Sequence, residues 1–128
     1  MKLFALLFVA TGLLAIASFT LAEDDTAKDA IKNIMKKCMN DEEQNLNDGL
    51  CKKVATGKAN EAEQNQLVEM LTALTKLEPP KGKAASWQQK TGVLLAAAKS
   101  VIAGDKGAGV KLANAADCKG CHSAHRVK

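Results

Sequence analysis

The chain has 128 residues, enough for one small domain, and a formal net charge of +4 at pH 7. Its lysines are spread along the sequence, without an arginine cluster or interleaved aromatic residues. This composition argues against a nucleic-acid-binding protein.

Residues 1–22 have the pattern of a secretory signal peptide. Lys2 precedes an apolar run, and Thr20 and Ala22 are small residues suited to a cleavage site. We predict cleavage after Ala22, which leaves a mature domain of residues 23–128 in the periplasm or otherwise exported, with no membrane association. The alternative is a retained anchor, because the run is about long enough to cross a bilayer.

Cleavage would leave the mature domain poor in aromatic residues. Phe4, Phe8 and Phe19 lie in the signal segment and the chain has no tyrosine, so Trp87 is the one remaining Phe, Tyr or Trp. Aromatic rings bury roughly 150–250 Å² each and supply much of the bulk of ordinary cores. We therefore expect something else, such as a large planar apolar cofactor, to fill the centre of this small domain.

Helix-forming residues at helical spacing run through the mature chain, and no segment alternates as a strand does. Thr26 followed by Asp29 is a capping pattern, which predicts the start of the first helix. A polar segment ends this helix, and a shorter helix follows that stops near Gly57.

Two longer helices come next. Asn60 followed by Glu63 predicts the start of one, and Pro79 and Pro80 end it because proline cannot extend the hydrogen-bond ladder. Ser86 is the predicted cap of the other. The last helix is predicted from about Ala108 to Arg126. Four main helices with short connections favour an all-α fold, an antiparallel four-helix bundle.

The stretch "CKGCH" lies in the last predicted helix. Residues three and four apart share a helix face, so Cys118, Cys121 and His122 project together. Two such thiols can join the two vinyl groups of one haem, and the neighbouring imidazole can bind the iron. The motif predicts one covalently bound haem c near the C-terminal helix, with Cys118 and Cys121 as tethers and His122 as the proximal iron ligand.

Other uses of these residues are weaker. Cys118, Cys121, His122 and His125 could be four zinc ligands, but structural zinc usually takes its ligand pairs from separated segments. A dithiol redox site usually lies beside a strand. A disulfide between Cys118 and Cys121 would close too short a loop to contribute much.

The motif leaves the ligand on the other side of the iron open: the chain has no third histidine, so this ligand is a methionine, a lysine, a cysteine or none. His125 lies one turn from His122 on the same helix and stays on the proximal side. Met35 and Met39 lie four residues apart on the first helix, and Met70 lies on a later one. Methionine opposite histidine suits electron transfer, whereas each methionine could also be a flexible core residue.

The C-terminal "CKGCHSAHR", three preceding helices and a first helix that can face the haem resemble the class II c-type cytochromes, which include cytochrome c prime and its low-spin relatives. Arg126 matches the basic residue of that family four positions after the histidine, whereas His125 stands where the family usually has an aromatic residue. The resemblance implies a distal side formed by the first helix. It favours Met39 as the distal ligand, while the apolar stripe alone favours Met35.

We therefore expect a non-enzymatic, monohaem electron carrier. Lysines near the haem edge would steer a redox partner with an acidic docking face, and the protein would be a monomer or a homodimer. If Met35 and Met39 only pack, the alternative is a five-coordinate haem protein that binds NO or CO. Cys38 and Cys51 are predicted either to form a disulfide or to remain buried, reduced thiols.

Overall fold

The computed structural model describes residues 23–39 and 49–128, and these ranges are all-helical, without a β-strand. The predicted signal segment and its cleavage site lie outside the described residues. No helix within them is long and apolar enough to cross a membrane. The helices are α1 (Glu23–Met39), α2 (Leu50–Ala55), α3 (Glu61–Lys76), α4 (Ala84–Ile102), α5 (Ala108–Ala115) and α6 (Cys118–His125).

The start of α3 is the capping box that the sequence predicts. The Asn60 side chain accepts a hydrogen bond from the Glu63 backbone N–H at 2.9 Å, and the Asn60 N–H donates to the Glu63 carboxylate at 3.0 Å. Lys53 of α2 donates to the same carboxylate at 3.0 Å, and this bond is the main cause of a lowered pKa of Glu63. The Glu63 carboxylate, which caps the start of α3, therefore also links this helix to α2.

Two other helix starts differ from their predictions. Helix α1 begins at Glu23 rather than at Thr26. Helix α4 begins at Ala84, so Ser86 lies inside the first turn and the prediction that it is the cap is wrong. The Ser86 hydroxyl lies 3.1 Å from His125 Nε2 instead, a partner that local sequence could not reveal.

The predicted single C-terminal helix is two helices, α5 and α6. Ala116 leaves the helical conformation with ψ 52°, and the Asp117 side chain accepts a hydrogen bond from the Gly120 backbone N–H at 3.0 Å. A short acidic side chain satisfies free N–H groups at a helix start better than it fits a helix interior. Asp117 thus starts a new helix immediately before the "CKGCH" motif.

The core of the described residues is mainly aliphatic. Leu67, Leu71 and Leu74 of α3 are at most 1% exposed, and Leu112 of α5 is fully buried. Burial of such a side chain contributes about 1.5–3 kcal/mol. Trp87 of α4, the one Phe, Tyr or Trp among the described residues, is also buried, and its indole N–H donates to the Leu74 carbonyl at 3.2 Å. This bond links α4 to the end of α3.

Candidate cofactor-binding site

A cavity of about 550 Å³ lies between α1, α4 and the turn from α5 to α6. Cofactor sites are typically concave, mostly apolar and about 300–1,000 Å³ in volume. Buried Leu74, Thr91 and Leu94 line it from the core, and partly buried Ala115 and Ala116 line it from the last turn. Size and chemistry both suit a bulky, largely apolar group.

All three chemically active residues of "CKGCH" line this cavity. Cys118 and His122 are exposed, and Cys121 is partly buried and packs against the core. Burial raises the pKa of Cys121, and nearby Lys90 acts in the opposite direction. Helix α6 thus presents two thiols and an imidazole to one space, as the helical spacing predicts.

Met35 and Met39 of α1 line the same cavity. Both are partly buried and pack against the core. Met70, the third methionine considered from the sequence, does not line it. The structure therefore brings residues about eighty or more positions apart in the chain around one space.

His125 does not join this group. It is 2% exposed, and its ring nitrogens lie 2.8 Å from the Lys81 carbonyl oxygen and 3.1 Å from the Ser86 hydroxyl. Among the residues that the structure describes, no three His, Cys, Asp or Glu side chains are arranged to hold a metal ion. Because the Ser86 hydroxyl and the Lys81 carbonyl engage both ring nitrogens of His125 outside the cavity, a four-ligand zinc site finds no support in this arrangement.

Polar residues also line the cavity, and sequence reasoning did not identify them as site residues. Lys36 comes from α1, Gln89 and Lys90 from α4, and Asn114 and Asp117 flank the last turn. The position of Asp117 was predictable from the local sequence, since Asp directly before a helix is a common cap. The positions of Lys36 and Lys90 in the cavity were not predictable from local sequence, because they result from the packing of distant helices.

Cys38 and Cys51 are buried free thiols and do not line the cavity. Burial, and secondarily the nearby Cys51, raises the pKa of Cys38 to about 12. Burial also raises the pKa of Cys51 to about 11, with a smaller contribution from Cys118. Both thiols are therefore protonated at neutral pH. The structure has the second of the two predicted states, reduced thiols that act as small apolar residues.

Comparison of the chain with protein-family models, curated proteins and solved structures finds no match. A function must therefore be argued from the chemistry and geometry of the site itself.

Proposed function

We propose that this protein is an exported, monohaem c-type cytochrome that carries electrons. The observation that carries the proposal is the shared cavity of about 550 Å³, which both the "CKGCH" residues of α6 and the two methionines of α1 line. A motif that occurs by chance has no reason to open onto a mostly apolar cavity with a second pair of potential ligands.

The residues present fit a haem. Cys118 and Cys121 would hold it by thioether bonds, His122 would bind its iron, and Met39 or Met35 would be the ligand from α1. When bound, haem supplies reversible one-electron chemistry at iron. The side chains of Leu74 and Leu94 would exclude water from this space, and such burial is one of the factors by which a protein sets a haem potential.

The fold supports a bundle around this group. We propose that α1, α3, α4 and the α5–α6 segment form an antiparallel four-helix bundle, with α2 as a short connection. The scarcity of large aromatic side chains agrees with a cofactor in its centre, since Trp87 is the one Phe, Tyr or Trp in residues 23–128 and it is already buried against the end of α3.

Charge near the cavity supports a docking role. Lys36 and Lys90 line the cavity, and Asp117, which caps α6, is the one acidic residue among the described residues of its lining. Positive charge at the mouth of a redox site increases the association rate with an acidic partner. We propose that the redox partner docks here with an acidic face.

A second candidate is a five-coordinate haem protein that binds NO or CO. The observation in its favour is that Met35 and Met39 both pack against the core. Methionines held by packing can line the distal side without binding iron, which would leave that position open to a gas.

The test is export of the full chain in a bacterium that matures c-type cytochromes. We expect haem to stay bound after denaturation, with the pyridine haemochrome spectrum of two thioether bonds, and to be lost in the Cys118→Ser/Cys121→Ser variant. A low-spin spectrum supports electron transfer, and a high-spin spectrum that shifts on adding CO supports gas binding. A wild-type protein that is colourless after export would refute both.

A further inference from the structure

His125 is the one residue of α6 that is buried. Helix α6 packs against α4, and His125 makes contacts at the start of that helix. Its ring meets Trp87 edge-on, with centroids 5.4 Å apart and planes at 77°. An aromatic pair of this geometry contributes about 0.5–1.5 kcal/mol beyond its buried area.

Both ring nitrogens of His125 are engaged, and their partners define the tautomer. The Lys81 carbonyl, 2.8 Å from Nδ1, can only accept, so Nδ1 carries the proton and donates it. In the neutral ring Nε2 then accepts from the Ser86 hydroxyl at 3.1 Å. The ring is thereby fixed in rotation as well as in position.

The backbone before α4 is shaped to approach α6. Gly82 has φ +85°, a backbone conformation that residues with a side chain rarely adopt. A Cβ atom at Gly82 would lie 2.6 Å from the Ala124 carbonyl oxygen and 3.0 Å from His125 Nδ1. A glycine here lets the Lys81 carbonyl reach the imidazole.

We propose that His125 is a positioning residue that fixes α6, and with it His122, against α4; this inference rests on the proposed haem function. His122 lies one helical turn before His125 and is itself exposed, so the orientation of its imidazole follows from how α6 is anchored. Contacts outside the ligand set are known to orient metal ligands, and here they would act on His122 through the position of α6.

The Ser86 hydroxyl is hydrogen-bonded to the His125 imidazole, which is hydrogen-bonded to the Lys81 carbonyl. Such a chain of groups also occurs where a base activates a catalytic nucleophile. Neither Ser86 nor His125 lines the cavity, and His125 is almost fully buried. A substrate has no access to this pair through the cavity. The geometry therefore favours an anchor over a catalytic pair.

The test uses electron paramagnetic resonance of the oxidised holoprotein and its reduction potential. His125→Phe keeps a ring beside Trp87 and removes both hydrogen bonds. We expect wild type to give one ferric species, and His125→Phe to give broadened or multiple species with a shifted potential. Ser86→Ala, which removes one bond, should give a smaller effect in the same direction. Ser123→Ala, an exposed change on the same helix, should match wild type.

A spectrum and potential of His125→Phe equal to those of wild type, with only lowered stability, would overturn the positioning role. If His125→Phe does not fold, the spectrum and potential of Ser86→Ala decide instead.

The anchoring hydrogen bonds of His125 have a separate test in the ¹⁵N chemical shifts of its ring in the purified protein, whether or not the protein contains haem. We expect the Nδ1–H tautomer, and the Nε2–H tautomer would overturn the anchor. Absence of haem from wild type refutes the proposed function instead.

Discussion

The sulfur atoms of Cys38 and Met70 lie 3.4 Å apart, across the interface of α1 and α3. Cys38 is fully buried, and its thiol donates a weak hydrogen bond to the Met70 thioether. The Met70 side chain therefore packs against the core and contacts Cys38. It does not line the cavity, whereas Met35 and Met39 do. This contact separates the methionine with a packing role from the two that can bind iron.

The first prediction concerns the distal ligand. We expect Met39→Ala to abolish the Met–iron charge-transfer band of the oxidised protein and to convert the haem to the high-spin state. Met35→Ala should do so instead if Met35 is the ligand. Absorption spectra of both oxidation states are the measurement.

Met70→Ala is the matched control. It should keep the wild-type spectrum and lower stability by less than the roughly 2–5 kcal/mol of a fully buried methionine, because Met70 is only partly buried. If Met35→Ala, Met39→Ala and Met70→Ala all keep a single wild-type spectrum, no methionine binds iron. The gas-binding candidate would then stand.

The second prediction is that Cys38 and Cys51 remain free in the holoprotein. Both are buried thiols with raised pKa values, and the thiolate is the reactive form, so native protein should react slowly with iodoacetamide. Unfolding without reductant should expose two alkylatable thiols, because Cys118 and Cys121 would be consumed by haem. Mass spectrometry counts the labels, and no label after unfolding would indicate a disulfide instead.

The sequence predicted those parts of the fold that depend on neighbouring residues. The capping box at Asn60 and the end of α3 before Pro79 are local chemistry, and the structure has both. The spacing of Cys118, Cys121 and His122 likewise predicted that they face one space. These features need no knowledge of distant contacts.

Features that depend on tertiary packing were not predictable in the same way. Ser86 looked like a helix cap, but its hydroxyl meets His125, which lies far along the chain. The family resemblance marked position 125 only as unusual and gave no partner for it. Lys90 reaches the cavity because α4 packs beside α6, which no local pattern encodes.

The third prediction concerns alkaline pH. Burial raises the pKa of Cys51 from 9.0 to about 11 in the folded protein. Below pH 9 the Cys51 thiol is protonated in both the folded and the unfolded state. The contribution of the buried, protonated thiol to the free energy of unfolding is then fully present. Between pH 9 and 11 the unfolded state loses this proton first, so stability falls, by at most about 3 kcal/mol.

Urea unfolding of wild type and Cys51→Ala at pH 8 and pH 10.5, with reductant, measures this effect. Other titrating groups are shared by the two proteins, so the difference between them reports Cys51 together with its smaller effect on the pKa of Cys38. We expect wild type to lose more stability on going to pH 10.5 than Cys51→Ala does. Equal losses would show that Cys51 does not hold its proton by burial.

The fourth prediction concerns the close approach of α5 to α2. Gly109 of α5 faces the backbone of Ala55, and a Cβ atom at Gly109 would collide with the Ala55 carbonyl oxygen. Backbone cannot move aside as a flexible side chain can, so Gly109→Ala must displace α5. We expect a loss of about 1–3 kcal/mol, the usual cost of overpacking, in urea unfolding.

Gly92→Ala is the control, since Gly92 lies within α4 and a Cβ there meets nothing within 4 Å. Alanine is favoured over glycine inside a helix by about 0.8–1.0 kcal/mol, so Gly92→Ala should stabilise the protein. Opposite signs for the two substitutions would separate steric contact from helix propensity. Stabilisation by both would mean that α5 does not approach α2 this closely, and the position of the turn that leads to Cys118 would have to be revised.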